Sequence, residues 1–239
     1  MSGHSKWHSI KHQKAANDAK RGKTFTKLAN AISVAAKNGG GDPDMNIRLR
    51  MAMDAARSAN MPKDNIERAI KRGTGELAGS ELAEFTIEGF GPGGFGIIAE
   101  VITDNRNRTL SDVRTIIEKA GGTVAGQGAV AHGFTQKGVL RGTLPTLSEE
   151  QEEQIIESGA DDYALDEDQL TIYTERSALK SVQTALEQAG FTFESAQLEF
   201  VPTTTVDLDD TAQDRALSLL SSLDDNDDVS AVYSNVTGL

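Results

Sequence analysis

VLRGTLPTLSEEQEEQIIESGADDYALDEDQLTIYTERSALKSVQTALEQAGFTFESAQLEF, residues 139–200, is the stretch that decides how the chain is built. It reads as a strand over 139–143, a helix over 148–158, strands over about 162–165 and 169–174, a helix over 177–189 and a strand over 191–200. That order, βαββαβ, is ferredoxin-like. Upstream, 85–90 and 95–103 read as strands around the turn Gly91-Pro92-Gly93-Gly94. Thr109 is expected to cap a helix, with Asp112 three residues on, Leu110, Val113, Ile116 and Ile117 facing inward, and Gly121-Gly122 as the stop. Residues 129–135 read as a further strand. Downstream, a helix over 211–223 and a strand over 229–234 supply the αβ that the upstream elements lack. The expected architecture is therefore α+β, with one ferredoxin-like domain (137–202) inserted into a second (78–136 and 203–239).

Ahead of both lies a helical domain, 1–77. A helix is predicted over 24–37, with Phe25, Leu28, Ile32 and Ala35 at helical spacing and Asn38-Gly39-Gly40-Gly41 ending it. Asp42-Pro43 is expected to open a second helix, as N-cap and N1, with Leu49, Met53 and Ala56 as its apolar stripe. Met61-Pro62 starts a third, with Ile66, Ala69 and Ile70 inside. Residues 1–22 read as a basic arm. Trp7 and Ile10 are its large apolar residues, too few to form a core, so it is expected to order on a partner.

The net charge of −12 conceals a division. Residues 1–75 carry nine Lys and six Arg against six acids, a balance of +9, and residues 76–239 carry −21. A basic head on an acidic body points to a polyanionic partner for the head, with the body repelled from it. The 239 residues contain no Cys, which excludes disulfides, thiolate metal sites and a cysteine nucleophile. No apolar run has the length of a membrane span, and the opening lacks the apolar region of a secretory signal, so a soluble cytoplasmic protein is expected.

Catalytic signatures are missing. Gly22-Lys23-Thr24 ends like a phosphate-binding loop, but Asn17 stands where the first Gly is required. Gly89-Phe90-Gly91-Pro92-Gly93-Gly94 matches GxGxxG but leads into a strand, where a dinucleotide site needs a helix. A hairpin loop is the better reading. His4, His8 and His12 lack a completing carboxylate, so a polar or phosphate contact is preferred to a metal. His132 reads as structural. Asp224-Asp225-Asn226-Asp227-Asp228 lacks the Gly and distal Glu of a calcium loop and reads as a solvated turn. No enzyme activity, cofactor, metal or small-molecule substrate is expected.

The chemistry that remains is phosphate binding. The candidate nucleic-acid contacts are His4, Lys6, Trp7, Lys11, Lys14, Lys20, Arg21, Lys23, Lys27, Arg48, Arg50, Arg106 and Arg108. Lys and Arg neutralise phosphates and release counterions. Trp7 either stacks on an unpaired base or packs on the helical bundle. Arg106 and Arg108 stand where a strand meets a helix N-terminus, which favours an anion or a local capping and salt-bridge network.

These residues carry a resemblance. Gly3-His4-Ser5-Lys6-Trp7, Lys14-Ala15, Asp18-Ala19-Lys20-Arg21-Gly22-Lys23, Gly39-Gly40-Gly41-Asp42-Pro43 and Asn60-Met61-Pro62-Lys63-Asp64-Asn65-Ile66-Glu67-Arg68-Ala69-Ile70 resemble the opening of the YebC/PmpR family. Gly89-Phe90-Gly91-Pro92-Gly93-Gly94 and Thr103-Asp104-Asn105-Arg106-Asn107-Arg108-Thr109 continue it. The resemblance implies three domains, the third inserted into the second, no catalytic residue and no cofactor. It also implies a bacterial cytoplasmic member, although relatives include a mitochondrial translational activator of cytochrome c oxidase. The family's basic opening maps onto Lys6, Lys11, Lys14, Lys20, Arg21, Lys23 and Lys27. Members are described as probable transcriptional regulators, with DNA binding reported for some. Others resemble ribosome-associated translation factors acting at proline-rich stalls. The expected partner is thus duplex DNA or ribosomal RNA, with a protein–protein adaptor as a third reading. The sequence assigns no oligomeric state.

Overall fold

The computed structural model describes residues 18–238. Among the described residues, seven α-helices and two four-stranded antiparallel sheets make an α+β fold with a helical N-terminal domain and two α+β domains, the third inserted into the second. The helices of the N-terminal domain are α1 (Asp18–Gly39), α2 (Ile47–Ser58) and α3 (Lys63–Gly73). Ile32, Leu49, Ala56 and Ile66 are buried at their centre. Gly73 lets α3 approach α1 closely, since a Cβ there would collide with the Ser33 carbonyl. Ser33 lies in this contact, its Oγ donating to the Ala69 carbonyl (2.8 Å) and accepting from Arg72 Nε (3.1 Å).

Two expectations for this domain change. Residues 18–22, read as part of the arm, are helical. The N-cap of α2 is Asn46 rather than Asp42, and Pro43 lies in the turn ahead of the helix. Asn46 wins because it satisfies several groups at once. Its Oδ1 accepts from Leu49 N (3.1 Å), while its Nδ2 donates to the Ala35 and Gly40 carbonyls (2.8 Å each). Asp42 instead receives the Asp44 amide at 2.9 Å.

The first sheet has the order β3-β1-β2-β8, from β1 (Ala83–Phe90), β2 (Gly96–Thr103), β3 (Thr123–Val124) and β8 (Val229–Ser234). Helices α4 (Arg106–Lys119) and α7 (Asp210–Asp224) bury Val113, Ile117, Leu219, Leu220 and Leu223 against Ile97, Ala99 and Val101 of β2. The β1–β2 turn is a hairpin loop, with Gly93 and Gly94 at φ of 91° and 84°. Such values favour glycine.

The second sheet has the order β5-β6-β4-β7, from β4 (Phe134–Thr143), β5 (Asp162–Asp166), β6 (Gln169–Thr174) and β7 (Ser195–Pro202). Helices α5 (Glu149–Glu157) and α6 (Leu179–Gln188) cover one face through Ile155, Leu179, Val182 and Leu186. Its central strands, β6 and β4, are not consecutive, whereas those of the first sheet, β1 and β2, share a hairpin.

The strand expected over 129–135 and the one expected over 139–143 are replaced by a single strand, β4. Residues 131–133 form a 3₁₀ turn instead. Glu88 holds this segment off the ladder: its carboxylate accepts from the amides of Gly128 (2.6 Å), Val130 (2.6 Å) and Ala131 (2.9 Å). Burial opposes ionisation of Glu88, yet these amides hold its carboxyl below the usual range. Ser148 caps α5 in a reciprocal arrangement with Gln151. The cap of α4 is Asn105, not Thr109. Thr109 is fully buried one turn further on, where its hydroxyl is 2.9 Å from Thr103 Oγ1 and 2.6 Å from Asp228 Oδ2.

Candidate nucleic-acid interface

Of the expected contacts, His4, Lys6, Trp7, Lys11 and Lys14 lie outside the described residues, and Lys20 is described as helical backbone alone. The remaining seven fall into three places. Arg21, Lys23 and Lys27 lie in the first turns of α1. The Arg21 guanidinium stands 5.7 Å from the centre of the Phe25 ring. Lys23 and Lys27, four residues apart, share a face of α1 and reach the C-terminal end of α7. Lys23 Nζ donates to the Asp225 carbonyl (3.0 Å) and lies 3.7 Å from the Asp227 carboxylate. Lys27 Nζ donates to the Asp224 carbonyl and lies 3.7 Å from that residue's carboxylate.

Arg108, on α4, meets the same turn from the other side. Its Nη2 donates to Asp228 (2.9 Å) and to Asp104 (3.0 Å). The Asp228 and Asp104 carboxylates strengthen the hold of Arg108 on its proton. Burial raises the Asp228 carboxyl, but the Thr109 and Arg108 hydrogen bonds outweigh it and the net direction is down. Arg106, two residues away, lies over the Phe85 ring at 4.2 Å from its centre. The α4 start thus carries the capping and salt-bridge network offered above as one of two readings.

On α2, Arg48 pairs with Glu84 of β1. Arg50 donates through Nε to the Pro43 carbonyl (2.9 Å) and through Nη2 to the Asp44 carbonyl (3.1 Å). Nearby, Met51 of α2 packs into the core of the inserted domain. A cleft of about 190 Å³ opens beside it, between α2 and the α6–β7 side of that domain.

One expectation is corrected by this geometry. The turn 224–228 is not merely solvated, since Asp224 and Asp228 retain side-chain exposures of only 21% and 18%. The reason is electrostatic and local. The last turn of α7 contains no basic residue, and its free carbonyls take their cations from α1.

Two cations passed over in the sequence stand on the exposed face of α3. Arg68 and Lys71 have no carboxylate within ion-pairing distance among the described residues. Their signal was the spacing against the inward Ile66, Ala69 and Ile70. Among the described residues no three His, Cys, Asp or Glu side chains are grouped to hold a metal, and no helix is long and apolar enough to cross a membrane.

Family models match almost the whole chain: the N-terminal domain of TACO1/YebC proteins over residues 5–76, and their second and third domains over 82–236. The chain belongs to the TACO1/YebC family. Similar relatives of this family include a probable transcriptional regulatory protein of Geobacter sulfurreducens, 50% identical over 98% of this chain and 95% of its own length. One from Treponema denticola is 49% identical over 99% and 96%. The crystal structure of a conserved hypothetical protein from Aquifex aeolicus superposes with a TM-score of 0.85 at 42% identity, covering 92% of this chain and 91% of that one.

Proposed function

We propose that this TACO1/YebC chain is a non-enzymatic regulator of gene expression that binds duplex DNA in the cytoplasm through its basic N-terminal domain. The observation that carries the reading is the +9 balance of residues 1–75 set against −21 elsewhere. Relatives named as transcriptional regulators add to it. Cations clustered in this way supply affinity through phosphates, without choosing a sequence. Base reading would need a helix presenting donors to a groove. The exposed face of α3 instead mixes Asp64 and Glu67 with Lys63, Arg68 and Lys71, and Lys63 pairs with Glu67 at 3.5 Å. Arg68 and Lys71, which have no carboxylate partner among the described residues, are the cations that this face offers to phosphates.

The same observation supports a second reading, structured ribosomal RNA, since a backbone reader does not require a major groove. Replacing Lys6, Lys11, Lys14, Lys20 and Lys23 by Ala tests the head under either reading. The log–log salt slope is expected to shrink by about 0.7–0.9 for each lost phosphate contact. An unchanged slope would remove the arm from the interface. Retention on promoter duplex, measured beside cosedimentation with ribosomes at one salt concentration, separates the two targets.

A further inference from the structure

We propose that the acidic turn 224–228 is a built-in competitor for phosphate, covering Lys23 and Lys27 in the free protein and displaced when nucleic acid binds. The proposal rests on the reading of the head as a nucleic-acid binder and adds a regulation to it. Its ground is the arrangement of charge at the junction of α1 and α7. Asp224, Asp225 and Asp227 stand at the C-terminal end of α7, where the helix already presents partial negative charge. Left alone, this end is electrostatically unfavourable. Lys23 and Lys27 offset it from another domain, each beside both a carbonyl and a carboxylate oxygen. A nucleic-acid backbone offers an ammonium group the same thing: closely spaced oxygens carrying a negative charge.

The Lys23 side of the contact is built to exchange, whereas Lys27 and Asp224 keep side-chain exposures of only 16% and 21%. The Lys23 and Asp227 side chains keep exposures of 51% and 63%, and ion pairs open to water are weak and screened by salt. Asp228 serves a different purpose. It is held by Arg108 and by the buried Thr109, so the turn stays anchored to α4 while the Asp224 and Asp227 carboxylates meet the lysines of α1. Nucleic acid reaching α1 therefore competes with a tethered anion at high effective concentration.

The test neutralises the competitor and leaves its anchor. Asp224→Asn, Asp225→Asn and Asp227→Asn are combined in the full chain, and binding to duplex DNA and to structured RNA is titrated against salt. The variant is expected to bind roughly fivefold to tenfold more tightly, from one exposed pair and one largely buried pair relieved. Its salt slope should steepen by up to about 0.9 for each lysine freed. Adding Lys23→Ala and Lys27→Ala should erase the gain. Glu150→Gln, Glu153→Gln and Glu157→Gln on α5 remove the same charge elsewhere and should give a smaller gain. Equal gains in the two triple variants, or parent-like affinity and slope in the turn variant, overturn the proposal. Should the triple variant not fold, Asp227→Asn alone reports on Lys23, and an unchanged slope has the same meaning. If neither parent nor variants bind any nucleic acid, the reading of the head falls and the competitor falls with it.

Discussion

Two sets of ion pairs differ in the company they keep. On the second sheet, Arg141 and Glu199 form a two-pronged pair between β4 and β7, with side-chain exposures of 11% and 7%. Gln197 adds a hydrogen bond to Glu199 at 3.0 Å. Burial disfavours the charged guanidinium, but Glu199 holds its proton more firmly than usual. At the junction of α1 and α7, the lysines meet their acids partly in water. A desolvated pair has no substitute for a missing partner, while an exposed one exchanges its partner for solvent or another ion. The first therefore behaves as part of the fold, and the second as a contact that binding can rearrange.

The sharpest way to break this contrast is Glu199→Ala. It leaves the Arg141 charge buried without its partner, and a loss of about 3–5 kcal/mol is expected in urea unfolding. A loss near zero would mean that water reaches the pair and that the two regions are alike. Replacing both members by apolar residues, Arg141→Met with Glu199→Leu, should recover most of the stability.

Asp228→Asn lies between the extremes, because one side of the carboxylate meets the buried Thr109 and the other meets a half-exposed Arg108. About 1–2 kcal/mol should be lost at neutral pH. The folded-state pKa of Asp228 is lowered. Its contribution is therefore complete above the ordinary value of 3.8 and disappears as pH falls through the folded value. Unfolding curves of parent and variant should converge in acid. A constant difference at all pH values would place the effect in packing rather than charge.

Lys23→Ala should have the smallest effect on stability, below about 1 kcal/mol, because both members of its ion pair are exposed. A thermal melt checks this. A larger loss would make the α1–α7 contact a structural joint and would blunt the contrast.

What could be read from the sequence follows the range over which each signal acts. The strand Val229–Ser234 and the capped start of α5 are specified by neighbouring residues, and both stand where the pattern predicts them. The start of α2 does not follow its local signal. Asp42-Pro43 is a good opening in isolation, but Asn46 bonds to the end of α1 as well, and no window of α2 alone contains that information. Gly138 interrupts the alternation of β4 and splits it in the sequence. In the fold it is required, because a Cβ there would collide with Thr174 and Leu179. The candidate cations were visible as residue types, but not their partners. Arg108 reaches Asp228 from 120 residues away, and the lysines of α1 meet acids some 200 residues downstream. Net charge summed by segment was bound to miss contacts made between segments.

The pairing of β4 with β7 has a consequence for how the molecule is made. Phe134 lies opposite Pro202 and the register runs on to Arg141 and Ser195, so the inserted domain leaves its host and returns at adjacent points. A nascent chain that has grown just past Pro202 already contains every strand of the second sheet. The first sheet at that moment lacks β8, and its core lacks Leu219, Leu220 and Leu223 of α7. The insertion can thus be complete on the ribosome while its host still waits for its last strand, and the host closes only when the C-terminal residues emerge.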